Sequence, residues 1–429
     1  MKKTKKTNVL VVGGGGREHA IVLALAKSQN IGKIYCNVIN AGIAELADCR
    51  EIASDDFSGL LNLVRTESIG LTVVGPEDPL SKGIVDAFEK DGRKIVGPSW
   101  VAAGLESSKL FAKRFMERHS IPTANYQYFT SYKIAEDYVR RVGAPIVIKA
   151  CGLAAGKGVF VATTIEEAIA ALWMIMKDKA FGEAGDIVLA EQCLKGEEAS
   201  FMVFTDGETI VPMVSSQDHK RVFDGDLGPN TGGMGAYSPA PIVTLELEKE
   251  IMENIMRPAI KGMKAEGIKY KGFLYAGLMI DGGKATVLEF NCRLGDPETQ
   301  PVLSRLNTDF LEICLAIADE KLDGINVQWK PEASVCVVLA SKGYPGKYEK
   351  GKIITGLKDV AQMKNVTVFH AGTTLNGGIV VTNGGRVLGV TATGPDIRTA
   401  KELAYEAVDK INFEGMQYRK DIADRAIKR

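Results

Sequence analysis

Short apolar runs alternate with helical stretches over the first hundred residues of the chain. The apolar runs cover residues 8–12, 34–38 and 71–74. Helical spacing follows them from Arg17, Ser54 and Ser81. Strands and helices that alternate in this way predict a parallel α/β domain, and because the spacing changes near Ser107 we place this domain at residues 1–106.

The rest of the chain divides into a larger central region and a small closing region. Residues 107–325 show helical spacing at 165–177 and 244–266, and a strand hairpin at 273–290. Residues 326–429 carry strand-like runs of their own, followed by one helix. We therefore expect an α/β multidomain protein whose second and third domains are 107–325 and 326–429, the last a small α+β domain.

The end of the central hairpin carries a polar face. If residues 287–293 form a strand, its period of two places Glu289, Asn291 and Arg293 on one face and apolar side chains on the other. A carboxylate and an amide oxygen two residues apart can share Mg²⁺, and a guanidinium can grip a phosphate oxygen. A half-buried edge strand with a solvated polar side fits the same residues equally well.

The first domain has one feature that points to an anion and another that points to a sugar. Four glycines at residues 13–16 join the first strand to a helix, and such a turn lets a phosphate approach the helix N-terminus. The dinucleotide-binding fingerprint does not fit, because its third glycine position falls on Glu18 or His19. A tight turn without a ligand is the alternative. Glu77 follows a later strand and either accepts sugar hydroxyls or belongs to the turn.

A glycine-rich hairpin is predicted at residues 145–161. Its loop contains Gly152, Gly156 and Gly158, with Lys149 and Lys157 at its mouth and tip. It is not a Walker A loop, because three residues rather than four separate the first two glycines and a glycine follows Lys157. Backbone amides folded over phosphates, with lysine point charges, are the functional interpretation, and an ordinary mobile hairpin is the structural one.

Two further segments of the central region are candidates for binding. Residues 192–194 connect two strands and could bind a nucleotide base through backbone groups, with Glu198 near the ribose. The connection 216–235 is too polar and glycine-rich for a core, so we expect an active-site loop there. Within it, Asp218-His219-Lys220 also fits a solvated surface.

Composition limits the partners of the chain. The 429 residues carry 53 Lys and Arg against 53 Asp and Glu, so no global field favours nucleic acid or an acidic membrane. No apolar run approaches the roughly 20 residues that span a bilayer. The basic start, residues 1–6, precedes an apolar run that ends at Gly13, which predicts a cytoplasmic start rather than a signal peptide. Seven cysteines without regular spacing predict reduced thiols, with no disulfide framework and no zinc site.

Several motifs together resemble the ATP-grasp ligases, and in particular those members that join glycine to 5-phosphoribosylamine in purine biosynthesis. The motifs cover residues 13–20, 149–159, 218–221, 228–241, 291–301 and 418–422. The resemblance runs nearly from end to end. It implies an ATP-grasp fold preceded by an N-terminal parallel α/β (pre-ATP-grasp) domain, with a mobile phosphate-flap subdomain at about 123–195.

The resemblance also implies a role for each candidate residue. Activation of glycine as a glycyl phosphate would use ATP with Mg²⁺ or Mn²⁺ held by Glu289 and Asn291. The implied ATP-binding residues are Lys109, Lys149, Gly152, Gly156, Lys157, Gly158, Glu191, Cys193, Leu194 and Glu198. The implied substrate-binding residues are Gly14, Gly15, Gly16, Arg17, Glu18, Glu77, Asp296, Pro297 and Glu298. The implied catalytic residues are Arg293, Asp218, Lys220 and Asp296.

The implied partners are ATP, glycine and 5-phosphoribosylamine, with no nucleic acid and no membrane, and we expect a cytoplasmic monomer. Two alternatives stay open: another ATP-grasp carboxylate-amine ligase, and a non-catalytic ATP-binding sensor. The chain departs from the usual family pattern at Cys151, where Asp is usual, and at Gln192-Cys193, where Glu and a large apolar residue are usual. The main phosphate-binding groups are retained, so these departures do not imply lost activity.

Overall fold

The structure is a computed structural model that describes residues 6–154 and 156–429. The expectation for the basic start at residues 1–5, and Ala155 in the loop of the predicted glycine hairpin, lie outside the described residues. All seven cysteines are free, as expected. In the part of the chain that the structure describes, every helix is too short or too polar to cross a membrane.

The N-terminal domain is built on a five-stranded parallel sheet, which confirms the predicted parallel α/β class. In spatial order its strands are Asp48–Cys49, Ile31–Cys36, Thr7–Val12, Leu71–Val74 and Ile95–Val96. Its main helices are Gly16–Ala26, Phe57–Thr66, Glu77–Ser81 and Ile84–Lys90. The strand order reverses between Thr7–Val12 and Leu71–Val74, and in such sheets ligands collect in the crevice beyond the strand ends at that point.

The central region contains two four-stranded antiparallel sheets. The first consists of Tyr126–Phe129, Val188–Gln192, Ile146–Ala150 and Val159–Ala162, with helices Tyr132–Val142 and Ile165–Met176. The second consists of Ile210–Pro212, Glu197–Thr205, Gly272–Asp281 and Lys284–Asn291. The helices that follow or precede its strands are Lys109–Arg118, Leu245–Ile251, Arg257–Ala265, Thr299–Ser304 and Phe310–Ala318. The helix expected at 244–266 is not continuous, because a π-helical turn at Met252–Met256 interrupts it.

The closing region forms a mixed layer of sheet and helix. Its largest sheet contains Gln217–Asp218, Gly235–Ser238, Ala333–Ser341, Arg386–Gly394, Val366–His370 and Met416–Gln417. Two hairpins stand beside it, Arg221–Phe223 with Leu227–Asn230 and Thr373–Asn376 with Ile379–Thr382. The helices are Leu357–Val360, Ile397–Val408 and Asp424–Ile427. The class is α+β, as expected.

The expectation that residues 216–235 form a loop outside any core was wrong. The segment supplies short strands, and Gly235–Ser238 pairs with Ala333–Ser341 of the closing region. Gln217 and His219 are each only 1% exposed. The Gln217 side chain can be buried because both its ends are bonded: Nε2 donates to the Glu198 carbonyl at 2.7 Å, and Oε1 accepts the Tyr237 hydroxyl. The Nδ1 atom of His219 has no hydrogen-bond partner among the described residues.

The N-terminal domain and the second central sheet share one hydrophobic core. Val11 and Leu71 of the parallel sheet belong to the same buried cluster as Phe204, Phe273 and Phe310. The first central sheet packs its two helices into a separate cluster. The N-terminal domain is therefore joined to the second central sheet by packing as well as by the chain.

Candidate active site

The glycine turn at residues 13–16 lies at the switch point of the parallel sheet and is shaped by its own helix. Glu18 folds back so that Oε2 accepts the Gly15 N–H at 2.6 Å, and Oε1 accepts Arg17 Nε–H at 2.6 Å. Both residues are buried. Their side chains are therefore engaged in fixing the turn at the helix N-terminus, where backbone N–H groups favour an anion.

Asp296, which follows the strand Lys284–Asn291 of the central region, lies close to this turn. A Cβ atom placed on Gly15 or on Gly16 would lie 3.8 Å from an Asp296 carboxylate oxygen. Arg386 Nη2 donates to Asp296 Oδ2 at 2.9 Å, and Gln300 Nε2 donates to Oδ1 at 2.9 Å. Burial opposes ionisation of Asp296, but the charges of Arg386, Arg17 and Arg293 and the hydrogen bond from Gln300 together outweigh burial and lower its pKa. The structure thus brings together the predicted glycine and aspartate members of the substrate set.

The strand that carries the candidate metal ligands ends earlier than expected. It runs from Lys284 to Asn291, so Arg293 lies beyond it, and a bulge at Leu288 separates the Val287 pairing from the Glu289 pairing. Because the extra residue shifts the alternation, Val287 and Phe290 both face the core and Leu288 does not join the apolar face. The period-two assignment for residues 287–293 was therefore wrong in detail.

Arg293 is nevertheless directed back to the strand and to the N-terminal domain. Its Nη2 donates to Asn291 Oδ1 at 3.0 Å and lies 2.9 Å from Glu106 Oε1, and its Nε donates to Glu77 Oε2 at 3.2 Å. Burial opposes ionisation of Glu77, yet the charges of Arg293 and Arg17 lower its pKa to about 2. One guanidinium therefore links the candidate metal strand to the crevice of the parallel sheet. Sequence reasoning missed Glu106, because it lies outside every motif and 187 positions from its partner.

A cluster of lysines surrounds Glu191. Lys149 Nζ and Lys113 Nζ lie 2.9 and 3.0 Å from Glu191 Oε2. The other oxygen, Oε1, is buried and has no hydrogen-bond partner among the described residues. The Glu191 carboxylate is thus paired with two lysines. Lys113, missed from the sequence, lies one helical turn from Lys109, and that spacing was the available signal.

Glu289 is a carboxylate placed among cations. Burial raises the cost of its charge, but Lys220, Lys109 and Lys149 outweigh it and lower the pKa of Glu289. Within the described chain, no residue donates a hydrogen bond to this carboxylate, and no group of three or more His, Cys, Asp or Glu side chains forms a ready metal cage. An ionised oxygen pair without a protein partner, near an amide oxygen of Asn291, fits a hard cation that keeps further ligands from phosphates or water.

The predicted hairpin and the segment 192–194 bound the space above this cluster. The hairpin is confirmed as antiparallel strands Ile146–Ala150 and Val159–Ala162. Lys109 Nζ donates to the Gly152 carbonyl at 3.2 Å, at the hairpin mouth. A Cβ atom on Gly156 would lie 3.8 Å from the Thr231 carbonyl, so the hairpin loop reaches toward the 216–235 segment. Gln192, Cys193 and Leu194 line a cavity of about 290 Å³ with Met279 and Thr286.

Cys151 faces the start of the helix Lys109–Arg118. Its Sγ accepts the Leu110 N–H at 3.4 Å, and its carbonyl accepts the Lys109 N–H at 2.9 Å. The side chain is 8% exposed and packs with Leu110 and Leu189. The thiol therefore serves the helix N-terminus, where the aspartate usual in the family would also accept a backbone N–H.

The 216–235 segment brings Lys220 into the site. Lys220 Nζ lies 2.9 Å from Asp218 Oδ2 and 3.9 Å from Glu198 Oε2. Burial opposes its charge, but Asp218, Tyr275, Glu198 and Glu298 together outweigh burial and raise the pKa of Lys220. His219 turns away: its ring lies by Tyr237, and burial, with the charges of Arg425 and Arg419, lowers its pKa to about 4.

Glu298 and Pro297 lie beneath the site surface. Glu298 is 2% exposed, and its Oε1 accepts hydrogen bonds from Tyr275 at 2.7 Å and Ser200 at 3.0 Å. Burial raises the pKa of Glu298, and the charge of Asp218 adds to the effect. Pro297 packs against Gly233, where a larger residue would clash. These two members of the predicted substrate set support the site wall.

The class of protein follows from this arrangement of sheets and from solved structures. A biotin carboxylase from Campylobacter jejuni superposes with a TM-score of 0.73 at 16% identity, covering 100% of this chain and 96% of that chain. At that identity the likeness concerns the fold alone. Residues 107–299 match the model of an ATP-grasp domain, so the fold is ATP-grasp, as expected.

The family is defined by closer matches. Residues 7–106, 107–299 and 334–425 match the N domain, the ATP-grasp (A) domain and the C domain of phosphoribosylglycinamide synthetase. Phosphoribosylamine-glycine ligases from Vibrio vulnificus (strain YJ016) and Neisseria meningitidis serogroup B are 52% and 53% identical, each over 98% of this chain and 99% and 100% of theirs. The crystal structure of the Thermotoga maritima phosphoribosylamine-glycine ligase has a TM-score of 0.83 at 34% identity, covering 97% of this chain and all of that one. The chain belongs to the phosphoribosylglycinamide synthetase family, which confirms the resemblance found in its motifs.

Proposed function

We propose that the chain is an ATP-dependent ligase that joins glycine to 5-phosphoribosylamine, giving glycinamide ribonucleotide, ADP and phosphate in purine biosynthesis. The observation that carries the proposal is the position of Arg293. Its guanidinium contacts Asn291 on the candidate metal strand and Glu77 in the crevice of the parallel sheet. A phosphoryl site and an amine-substrate site therefore adjoin at one side chain, as a carboxylate-amine ligase requires.

ATP binds, in this proposal, between the two central sheets. Backbone groups of residues 192–194, including Cys193 and Leu194, take the adenine, and Glu198 takes the ribose. Lys109, Lys149 and the hairpin groups Gly152, Gly156, Lys157 and Gly158 neutralise the phosphates. Glu191 contributes by holding Lys149 in place, since their charged atoms lie 2.9 Å apart.

Glu289 and Asn291 are the proposed ligands of Mg²⁺ or Mn²⁺. The ion supplies Lewis-acid polarisation of phosphate oxygens when bound. The low pKa of Glu289 keeps the carboxylate ionised and ready to bind a cation. Asn291 offers a second oxygen while its neighbour Arg293 is held close enough to reach the same phosphate.

The chemistry needs a leaving group on glycine and a held amine. The glycine carboxylate attacks the terminal phosphorus of ATP, giving glycyl phosphate and ADP; the amine then attacks the acyl carbon and phosphate leaves. Arg293 steadies the transferring phosphoryl group, and Asp218 and Lys220 order the segment around glycine. No residue becomes a covalent nucleophile, so orientation supplies up to roughly 7–11 kcal/mol where reacting atoms are held ideally.

The amine substrate is proposed to lie in the crevice of the N-terminal domain. Gly14, Gly15 and Gly16 present backbone N–H groups to its phosphate. Arg17 and Glu18 fix that turn, and Glu77 and Asp296 face the ribose and amine. Pro297 and Glu298 support Asp296 from beneath.

The same proposal includes the division of the chain and its setting. We place the domains at 1–106, 107–325 with the flap subdomain at about 123–195, and 326–429. Seven free cysteines suit a reducing compartment, so we propose a cytoplasmic enzyme, acting as a monomer.

The test is ADP release with glycine and 5-phosphoribosylamine together, and with each omitted in turn. We expect release that requires both, together with formation of glycinamide ribonucleotide. Release that does not depend on the amine would contradict the assignment. Release with a different amine in its place would point to another carboxylate-amine ligase.

A further inference from the structure

Glu106 holds both the backbone and the side chain at the end of the candidate metal strand. It lies in the short helix Gly104–Ser107, where the N-terminal domain passes into the central region. Its Oε2 accepts the Cys292 N–H at 2.7 Å, and its Oε1 lies 2.9 Å from Arg293 Nη2. One carboxylate therefore fixes two consecutive residues through two different oxygens.

Glu77 is the second carboxylate on Arg293, and it is placed differently. Its Oε2 lies 3.2 Å from Arg293 Nε and 3.8 Å from Arg17 Nη1, so it is shared between two guanidinium groups. The Glu77 side chain is 30% exposed, whereas that of Glu106 is 8% exposed. A ligand in the crevice can reach Glu77, but Glu106 is screened from it.

We propose that Glu106 is a positioning residue that keeps Arg293 aimed at the transferring phosphoryl group, whatever occupies the crevice. The inference rests on the proposed function. When the amine substrate binds, it competes with Arg293 for Glu77, and Glu106 then remains as the fixed partner. A guanidinium has five donors in a rigid plane, so one carboxylate at Nη2 and an amide oxygen beside it are enough to set its orientation.

The first test compares Glu106→Gln with Glu77→Gln. Glutamine keeps the volume of Glu106 but has one acceptor oxygen for two donors and no charge, so Arg293 loses its fixed partner. We expect kcat to fall about 10- to 100-fold in Glu106→Gln, the scale of a small misplacement of a reacting group, with the KM for 5-phosphoribosylamine changed less than about 3-fold. In Glu77→Gln the KM for this amine should rise more than kcat falls.

Asp309→Asn is the matched control. Asp309 also joins the N-terminal domain to the central region, since its Oδ2 accepts the Ser28 hydroxyl at 2.6 Å, and it lies outside the proposed site. If Glu106 only stabilised the junction, both variants would lower the melting temperature and leave kcat and KM alone. That result, or a Glu106→Gln effect confined to KM, would overturn the inference.

A double-variant cycle separates action through Arg293 from any other role. Single-turnover experiments can measure the rate constants of very slow variants. In the Arg293→Ala background, Glu106→Gln should lower the single-turnover rate constant by less than about 2-fold. If the rate of the double variant fell by the product of the two single-variant losses, the inference would be overturned. Should Glu106→Gln fail to fold, Glu106→Asp replaces it, because it keeps the charge but is too short to reach both donors, and the same change in kcat is expected.

Measurements on the wild-type enzyme separate a failure of the proposed function from a failure of the proposal about Glu106. If wild-type ADP release does not require both glycine and the amine, the proposed function fails. If it requires both and Glu106→Gln has wild-type kcat, only the inference about Glu106 fails.

Discussion

Glu289 shows how much the role of one residue depends on its surroundings. As a side chain on a polar strand face it fitted solvent or a metal equally well. In the folded chain it is an ionised carboxylate, because the charges of three lysines lower the pKa of Glu289. No described residue donates a hydrogen bond to it. A carboxylate that is ionised and accepts no hydrogen bond from a described residue has both oxygens available to bind a cation.

We predict that Glu289→Gln lowers turnover by about 100-fold or more at saturating Mg²⁺, because one charged ligand of the cation is lost. Steady-state ADP release measures the effect. Glu208→Gln is the control, because it removes the same charge at an exposed position, where Glu208 pairs with Lys264. Near-normal turnover of Glu289→Gln at saturating metal would remove the proposed metal site.

Chelation of the metal should also lower activity through loss of the cation at Glu289, and this effect should be reversible. We predict that EDTA stops ADP release in the wild-type enzyme and that excess Mg²⁺ or Mn²⁺ restores it. The melting temperature should change little on chelation, because the described residues contain no cage of three or more metal-binding side chains that the fold depends on. Activity that persists after complete removal of divalent ions would contradict a role for Glu289 and Asn291 as ligands.

Sequence reasoning found the residues that share a local pattern and missed those that meet across the chain. The spacing of two residues was enough to group Glu289, Asn291 and Arg293. Nothing local marks Glu106, whose partners are at 292 and 293 and which is defined only by the way two domains pack. Lys113 was within reach, because it lies one helical turn from Lys109.

At the scale of elements, the strand Lys284–Asn291 shows the limit of periodicity. A bulge depends on how the partner strand Gly272–Asp281 pairs, and period-two reasoning applied to one strand has no access to that. The same holds for residues 216–235, whose polar composition predicted a loop. Their burial depends on bonds to Glu198 and to the strand Ala333–Ser341, which lie elsewhere in the chain.

The glycine hairpin allows a test of one element by itself. Gly156 has a φ of +72° and Gly143 a φ of +84°, and neither would place a Cβ in a clash. We predict that alanine at either position costs about 1–3 kcal/mol of stability, because both glycines have a positive φ, and the ψ of −167° at Gly143 lies in a region that essentially only glycine adopts. Only Gly156→Ala should raise the KM for ATP several-fold, because it alone lies in the loop over the phosphates.

Chemical denaturation and steady-state kinetics together read both effects. The Gly143→Ala variant controls for backbone strain in the same subdomain. If both variants change the KM for ATP equally, or neither does, the hairpin loop is not a phosphate flap.

At the scale of the whole molecule, three buried histidines make stability depend on pH. Burial lowers the pKa of His19 to about 3 and that of His370 to about 4, and the pKa of His219 to about 4. Their ordinary value is 6.5, so below that pH the unfolded chain binds protons that the folded chain does not. Stability should therefore fall as pH drops from about 6.5 toward 4, by up to about 1.4 kcal/mol per pH unit for each histidine.

We predict that His370→Gln makes the fall in unfolding free energy between pH 6.5 and 5 shallower by up to about 1.4 kcal/mol per pH unit. Urea titrations at several pH values measure the slope. His119→Gln is the control, because His119 is paired with Glu266 near the surface and is not part of this buried set. An unchanged slope in His370→Gln would mean that His370 is charged in the folded state.

The overall architecture was the most predictable level. Alternating strands and helices gave the parallel N-terminal sheet, and the motifs gave the ATP-grasp fold and the family. The sharing of one core by the N-terminal domain and the second central sheet was beyond the sequence, because apolar periodicity tells which face is buried but not against which partner.

That shared core limits how far the chain can be treated as interchangeable modules. Val11, Leu71, Phe204 and Phe310 lie in one cluster, so cutting the chain near residue 106 would expose apolar surface on both pieces. The first central sheet has a cluster of its own and shares only a small cluster with the rest of the chain, in which Leu189 and Cys151 pack with Leu110. For anyone who grafts or recombines these domains, the N-terminal domain and the second central sheet have to be exchanged together, and the hairpin subdomain is the part that can be replaced alone.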